Sequence, residues 1–179
     1  MNNHRPRAPA ARAPAADSVG AMTAAAVLTV SDRSAAGVRP DSAGPVAVLA
    51  LREAGFTCGD ATVIPDGADA VERALRELRD AGIRLIITSG GTGVGPRDET
   101  PEGTARVIEK QLPGIAEELR RAGLAATPAS MLTRGLAGVV GDTLIVNLPG
   151  SPKAVAEGMP VVLSVAGHVL SQLDGEDHR

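Results

Sequence analysis

Thr88-Ser89-Gly90-Gly91-Thr92-Gly93-Val94-Gly95-Pro96-Arg97-Asp98-Glu99-Thr100-Pro101-Glu102 decides the fold. An apolar run, Ile83-Arg84-Leu85-Ile86-Ile87, leads into it and stops at Thr88. Four glycines then fall within six positions, followed by a cation, a carboxylate and the start of a helix. Thr100 suits an N-cap, Pro101 the first helical position, and Glu102 complements the positive helix end. The stretch reads as strand, glycine loop, helix. Such a loop can offer backbone N–H groups to an oxyanion with no side chains in the way.

Two familiar glycine motifs do not fit. A P-loop needs Lys-Ser/Thr after its second glycine, and here Pro96-Arg97 follows Gly95. In a dinucleotide fingerprint the third glycine comes three positions after the second, and Gly91-x-Gly93 is followed instead by Gly95 and Pro96.

Working outward, Ala24–Val30 reads as a first strand and Ser31–Pro40 as a loop. A helix from Asp41 or Ser42 to about Ala54 follows, with Gly55 after it. Phe56–Ile64 is strand-like and Pro65-Asp66-Gly67 a turn. Ala68–Arg79 carries apolar residues at helical spacing, and Ile83–Thr88 is the third strand. Beyond the glycine loop the pattern predicts helices over Pro101–Lys110 and from Pro113 to about Gly123. A hairpin, Leu136–Val140 with Thr143–Leu148, turns at Gly141-Asp142. Asn147-Leu148-Pro149-Gly150-Ser151-Pro152-Lys153 is a second strand–loop–helix junction, and the last helices reach about Leu173 with an interruption at Gly158-Met159-Pro160. No internal repeat is visible. The expected class is α/β, three-layered: a mainly parallel sheet with helices on both faces and one antiparallel hairpin.

Composition narrows the function. The chain has 179 residues, 44% of them hydrophobic, with one Phe and no Trp or Tyr, so its core is aliphatic. Without aromatics there is no stacking platform for single-stranded nucleic acid. Eighteen Lys and Arg against 21 Asp and Glu, with no basic block, give no phosphate-backbone footprint. Nucleic acid is therefore not an expected partner. Cys58 is the single cysteine, which fits a reducing, cytoplasmic compartment. No apolar run is expected to span a membrane. Residues 1–21, rich in Ala, Pro and Arg, read as a disordered extension before a single domain over 22–179, with Met22 a candidate start.

In parallel sheets ligands bind outside the carboxyl ends of strands. Four loops are expected there: Ser31–Asp41, Pro65–Gly67, Thr88–Arg97 and Asn147–Lys153. The glycine loop and the Pro149-Gly150-Ser151 loop each supply N–H groups near a helix start, which suits a ligand with several phosphates. Asp66 and Asp98 are carboxylates beside those cradles. Carboxylates next to phosphates repel unless a divalent cation lies between, and Mg²⁺ takes carboxylate and phosphate oxygens together. Arg97 and Lys153 are candidates to neutralise charge during phosphoryl or nucleotidyl transfer. No histidine falls in these loops, so His-based nucleophilic chemistry and Cys/His metal sites are unsupported. On spacing alone, Asp66 in Pro-Asp-Gly is also an ordinary turn residue, Asp32 and Asp41 turn or cap residues, Asp98 a helix-end carboxylate and Lys153 a solvated cation.

Taken together, the motifs resemble the molybdopterin adenylyltransferase family, which includes the G domains of gephyrin-like proteins. The resemblance covers about residues 24–172. It rests on Val30-Ser31-Asp32-Arg33 with Gly37 and Asp41, on Ile64-Pro65-Asp66, and on Ser89-Gly90-Gly91-Thr92-Gly93 with Arg97-Asp98 and Thr100-Pro101-Glu102. Leu132-Thr133-Arg134 and Asn147-Leu148-Pro149-Gly150-Ser151-Pro152-Lys153 complete it. Departures are Ser89 where Thr is common, Thr133 where Ser is frequent, and Val94-Gly95-Pro96. The resemblance implies adenylylation of molybdopterin by Mg-ATP, releasing pyrophosphate. It implies functional aspartates at Asp66 and Asp98, which also are the expected Mg²⁺ ligands. It places substrate contacts at Ser31, Asp32, Ser89, Gly90, Gly91, Thr92, Gly93, Arg97, Pro149, Gly150, Ser151 and Lys153. It further implies a homotrimer and a molybdenum-insertion protein as downstream partner. The alternatives are a non-catalytic molybdopterin-binding paralogue of the same fold, and an assembly module that trimerises to present partners. Silent members tend to lose the Pro-Asp pair that Pro65-Asp66 keeps, which favours the enzyme.

Overall fold

The computed structural model describes residues 23–175. The extension over 1–21 and Met22 lie outside the described residues. Seven strands form one sheet: β1 (Ala24–Val30), β2 (Thr57–Cys58), β3 (Thr62–Ile64), β4 (Leu85–Ser89), β5 (Lys110–Gln111), β6 (Ala137–Val140) and β7 (Thr143–Leu148). Six α-helices accompany them: α1 (Asp32–Ala35), α2 (Gly44–Glu53), α3 (Ala68–Asp80), α4 (Thr100–Ala105), α5 (Pro113–Leu124) and α6 (Pro152–Leu173). A 3₁₀ helix spans Pro128–Leu132. The strand order is β2-β1-β4-β7-β6-β5, and β3 also pairs with β1. β1 runs parallel to β2, β3 and β4, and β4 parallel to β7. β6 is antiparallel to both β7 and β5. The class is therefore α/β and mainly parallel, with an antiparallel edge one short strand wider than the hairpin alone.

The period of two along each strand splits the core into two layers. Val27, Leu85, Ile87, Leu144 and Val146 pack with Ala47 and Leu51 of α2 and Val155, Val162 and Leu170 of α6. Leu28, Val30, Ile86 and Ile145 face the other way, onto Val71 and Leu75 of α3. Side chains buried on both faces explain why β4 and β7 read as continuous apolar runs. Each fully buried Leu or Ile contributes about 1.5–3 kcal/mol by removal from water.

Several boundaries depart from the sequence reading, each for a local reason. Ser31–Pro40 is not all loop: Ser31 Oγ accepts from the Ser34 N–H and nucleates the single turn α1. Phe56–Ile64 breaks into β2 and β3 because both pair with β1 at different heights, leaving exposed Gly59 and Asp60 between them. α4 ends at Ala105 rather than Lys110. The Val107 and Ile108 N–H groups fold back on the Thr104 carbonyl, and Lys110–Gln111 joins the sheet edge. α6 runs unbroken through Pro160, whose ring points to solvent. Its neighbour Gly158 lets α6 approach Leu148 and Leu119 so closely that a Cβ there would meet them at 3.0 and 3.1 Å. As one helix, α6 is long and apolar enough to cross a membrane by length and composition (mean hydropathy 1.4), which the sequence reading did not anticipate. Here it is a packing helix, with Val155, Met159, Val162, Ala166 and Leu170 buried against the sheet layer.

Ile86 lies in β4, between β1 and β7 in the middle of the sheet, with no exposed surface. Ile86→Ala should lower the unfolding free energy by about 2–5 kcal/mol through lost burial and a residual cavity. Urea denaturation followed by circular dichroism checks it, and a loss below about 1 kcal/mol would contradict the central placement of β4.

Candidate active site

The parallel strands β1, β3, β4 and β7 leave the sheet on one edge, and their exit loops enclose a cleft of about 750 Å³. From β1 come Ser31 and Asp32, from β3 Asp66, from β4 Ser89–Gly93 and Asp98, and from β7 Pro149, Gly150 and Ser151. All of these were expected at the site. Arg97 and Lys153 were too, but neither side chain lines the cleft. Arg97 forks onto Asp32 (3.1 and 3.2 Å) and donates to the Asp66 carbonyl (2.7 Å). Lys153 is exposed beside Glu157 at 3.8 Å on α6.

The glycine loop is shaped by contacts that tolerate no side chain. Gly90 has φ +106°, and a Cβ there would meet the Val30 carbonyl oxygen at 2.2 Å. Gly91 has φ +62°, and a Cβ would meet Thr100 Oγ1 at 2.3 Å. Both φ values lie where only glycine is unstrained. The loop is fixed further by Gly90 N–H donating to the Leu148 carbonyl (3.0 Å) and Thr100 N–H to the Gly91 carbonyl (3.0 Å). Thr100 is the first residue of α4 rather than its N-cap, and its hydroxyl donates to the Gly90 carbonyl at 2.9 Å. Glu99, in the cap position, reaches instead to the Ala68 N–H at 3.1 Å and so closes the start of α3.

Arg134 braces the loop from the far side. Its guanidinium donates to the carbonyls of Gly93 (2.7 Å) and Asp98 and pairs with Glu102, while its own N–H donates to the Thr92 carbonyl (2.8 Å). Thr133 Oγ1 bonds Thr92 Oγ1 at 3.0 Å. Beneath the loop, Asn147 is buried in β7. Its amide donates to Thr88 Oγ1 (2.9 Å) and Thr104 Oγ1 (3.0 Å), and its oxygen accepts from the Leu136 N–H (3.0 Å). All of these partners are satisfied, as buried polar groups require. A polar residue inside the apolar run Leu144–Leu148 was the available sequence signal for this network.

Asp32 and Asp66 hold each other across the two loops. The Asp32 N–H donates to Asp66 Oδ2 (2.7 Å) and the Asp66 N–H to Asp32 Oδ1 (3.0 Å). Their electrostatics differ. Arg97 bonded to Asp32 holds that carboxyl below the usual carboxylate range, against partial burial and with help from the Asp66 N–H. Burial pushes the Asp66 carboxyl up, and the charges of Asp32 and Asp98 add to it, against the Asp32 N–H bond and Arg97. Asp98 faces the same cleft, its Oδ2 accepting from the Gly95 N–H at 2.8 Å. Asp41 is a capping residue: Oδ1 accepts from Ala43 and Gly44 at the start of α2, and Oδ2 from the Thr29 hydroxyl at 2.7 Å.

No group of three His, Cys, Asp or Glu side chains with metal-binding geometry occurs among the described residues. A cation in this cleft would therefore draw at most two carboxylates from the protein and complete its shell with ligand oxygens and water, the usual way of Mg²⁺. The raised Asp66 carboxyl, crowded by two like charges, fits such a cation. The cleft also takes in residues that the sequence did not bring forward: Arg39, Thr127, Ser130 and Glu157. The 125–131 stretch carried no periodic or motif signal.

Residues 26–168 match the family described as "Probable molybdopterin binding domain". The chain is 37% identical over 153 residues to a "Molybdenum cofactor biosynthesis bifunctional protein" of Chlorobaculum tepidum, covering 86% of this chain and 49% of that protein. It is 37% identical over 148 residues to a "Molybdopterin adenylyltransferase" of Haemophilus influenzae, covering 80% of this chain and 75% of the relative. Its fold is similar to that of a molybdopterin biosynthesis Mog protein from Mycobacterium ulcerans, with TM-score 0.80 and 45% identity over 84% of this chain and 99% of the other. The chain spans about half the length of the bifunctional relative.

An aspartate whose folded-state pKa is raised costs stability when ionised, and the cost grows as pH rises from the ordinary aspartate value through the raised one. Asp66→Asn keeps an oxygen for the Asp32 N–H and removes that charge. We expect it to be more stable than wild type at pH 7, with the gain vanishing toward pH 3. Chemical denaturation at the two pH values checks this, and a destabilised variant at pH 7 would contradict the crowding of carboxylates around Asp66.

Proposed function

The chain belongs to the molybdopterin-binding domain family of molybdenum cofactor biosynthesis, and on that premise we propose that it adenylylates molybdopterin with Mg-ATP in the cytoplasm. A terminal phosphate oxygen of molybdopterin forms a bond to the α-phosphorus of ATP. The bond from that phosphorus to the β-phosphate oxygen breaks, and pyrophosphate leaves. The observation that carries the reading is one cleft shared by Asp66, Asp98, the Gly90–Gly93 loop and the Pro149–Ser151 loop.

Each part has a task that its chemistry suits. The glycine loop exposes backbone N–H groups where phosphate oxygens can approach without meeting a side chain. Ser151 caps α6, accepting from the Ala154 N–H at 3.1 Å, and sets the N-terminus of that helix at the cleft. Helix ends of this kind favour anions. Asp66 and Asp98 would hold Mg²⁺, which when bound supplies charge neutralisation for the phosphate chain. Asp32 and Arg97 keep Asp66 in position through the reciprocal backbone bonds and the fork described above. Arg134 keeps the glycine loop and the Asp98 backbone fixed as one unit. The adenylylated product would pass to a molybdenum-insertion protein, and the active form would be a homotrimer.

Incubating the purified protein with molybdopterin, ATP and Mg²⁺, with products identified by mass, tests the reaction: adenylyl-molybdopterin and pyrophosphate are expected. In the same assay Asp98→Asn should reduce kcat by about 10²-fold or more while the affinity for molybdopterin stays within about threefold. Wild-type turnover by the folded variant would remove Asp98 from the chemistry. Binding of molybdopterin without ATP turnover by the wild type would favour a non-catalytic pterin carrier instead.

A further inference from the structure

The cleft is lined by Asp32, Asp41, Asp66, Asp98 and Glu157, yet by only two cations, Arg33 and Arg39. The two cations expected from the sequence are already paired with carboxylates of the cleft rim, Arg97 with Asp32 and Lys153 with Glu157. Among the described residues no carboxylate pairs with either Arg33 or Arg39. A site for phosphate-bearing substrates needs a cation with donors to spare, and a guanidinium offers several in a fork that matches phosphate oxygens.

Arg39 is the better placed of the two. Its Nη2 lies 3.5 Å from Ser31 Oγ, at the wall of the cleft next to the Asp32–Asp66 pair. The loop that carries it is closed on itself. The N–H groups of Val38 and Arg39 both point at the Arg33 carbonyl (2.9 and 3.4 Å), and Gly37 turns the chain with φ +70°. The side chain therefore projects from a held backbone, and its contact to Ser31 is long enough to be exchanged for a stronger one.

We propose that Arg39 is a substrate-positioning residue that binds a phosphate group at the first-loop wall of the cleft. The inference rests on the reading of the cleft as a site for phosphate-bearing substrates. Two phosphates qualify by the same chemistry, the polyphosphate of the nucleotide and the terminal phosphate of the pterin. Asp41 and Ser31 share this wall but have other tasks: Asp41 is tied to Thr29 and the start of α2, and Ser31 to Ser34. Loss of Arg39 leaves those bonds in place.

The test is calorimetric titration of the full chain with ATP in Mg²⁺ and, separately, with molybdopterin, for wild type, Arg39→Gln and Arg39→Lys. Arg39→Gln should weaken one of the two ligands by about tenfold or more, the range for a hydrogen bond to a charged group. Arg39→Lys should recover a large part of the loss, and kcat at saturation should stay within about threefold of wild type. Weakening confined to the ATP arm assigns the nucleotide phosphate, and weakening confined to the molybdopterin arm assigns the pterin phosphate. Wild-type affinity in both arms for Arg39→Gln overturns the proposal while leaving the function of the cleft intact. A wild type that binds neither ligand overturns the cleft reading itself, and this inference with it.

Discussion

Three backbones meet at Gly90, and the cleft depends on that meeting. The glycine follows β4 directly, presses on the Val30 carbonyl at the end of β1 and donates to the Leu148 carbonyl at the end of β7. From β7's side Gly150 comes as close, since a Cβ on it would lie 3.1 Å from Gly90 Cα. Parallel neighbours in a sheet are about 4.8 Å apart, which leaves room for loops to cross only where side chains are missing. The missing Cβ atoms let the exits of β1, β4 and β7 converge, and that convergence sets Ser31, the glycine loop and Ser151 around one space. A conformation at φ +106° that any other residue would resist is held here by a bond on each side.

What surrounds that meeting point makes it rigid. Asn147 links β7 to β4 and α4 from below, and Arg134 gathers the carbonyls of Gly93 and Asp98 from the side. The two differ in energetic character. The Asn147 network is buried and fully paired, so removing one member strands the others at about 1–3 kcal/mol each. The Arg134 contacts are partly exposed, and their value lies in geometry: a planar fork fixes two carbonyls relative to each other. The loop can thus remain open toward the cleft without being loose.

The fold class was legible because its signals are local and redundant. Apolar runs at β1, β4 and β7, helical spacing in α3, and glycine or proline punctuation at Gly55, Gly67 and Gly141 all agree. The misread elements lacked such signals. Lys110–Gln111 has no strand chemistry and pairs only because β6 leaves an edge beside it. Pro160 reads as a break in any sequence window, yet α6 continues through it on an exposed face, where water can reach the Ala156 carbonyl that loses its helical donor. In the cleft, the loop motifs point to their own residues and the first-loop motif passes over Arg39 between Gly37 and Asp41, whereas Thr127 and Ser130 arrive through tertiary folding of an unpatterned segment. Arg97 illustrates the opposite limit. Its charge and position next to Asp98 suggest a ligand contact, and what no sequence window could show is that its fork lies on Asp32, 65 positions away.

The carboxylates of the cleft follow from the same competition. Asp32 is ionised cheaply because Arg97 is bonded to it, and Asp66, bonded to the backbone of Asp32, receives only the more distant share of that cation. Burial and the charges of Asp32 and Asp98 then act on Asp66 in the same direction. A fold selected for stability alone would place a neutral residue there or turn Arg97 toward it. Instead the strain of like charges is concentrated on the carboxylate that lies against Gly91, where a Cβ would come 3.2 Å from its Oδ1. Strain of this kind is relieved by whatever brings positive charge to that oxygen, so the arrangement favours a ligand that arrives with its own cation over one that arrives as a bare anion. Arg39, on the first-loop wall beside the Asp32–Asp66 pair and without a carboxylate partner of its own among the described residues, is the complement proposed above for the anionic remainder of such a ligand.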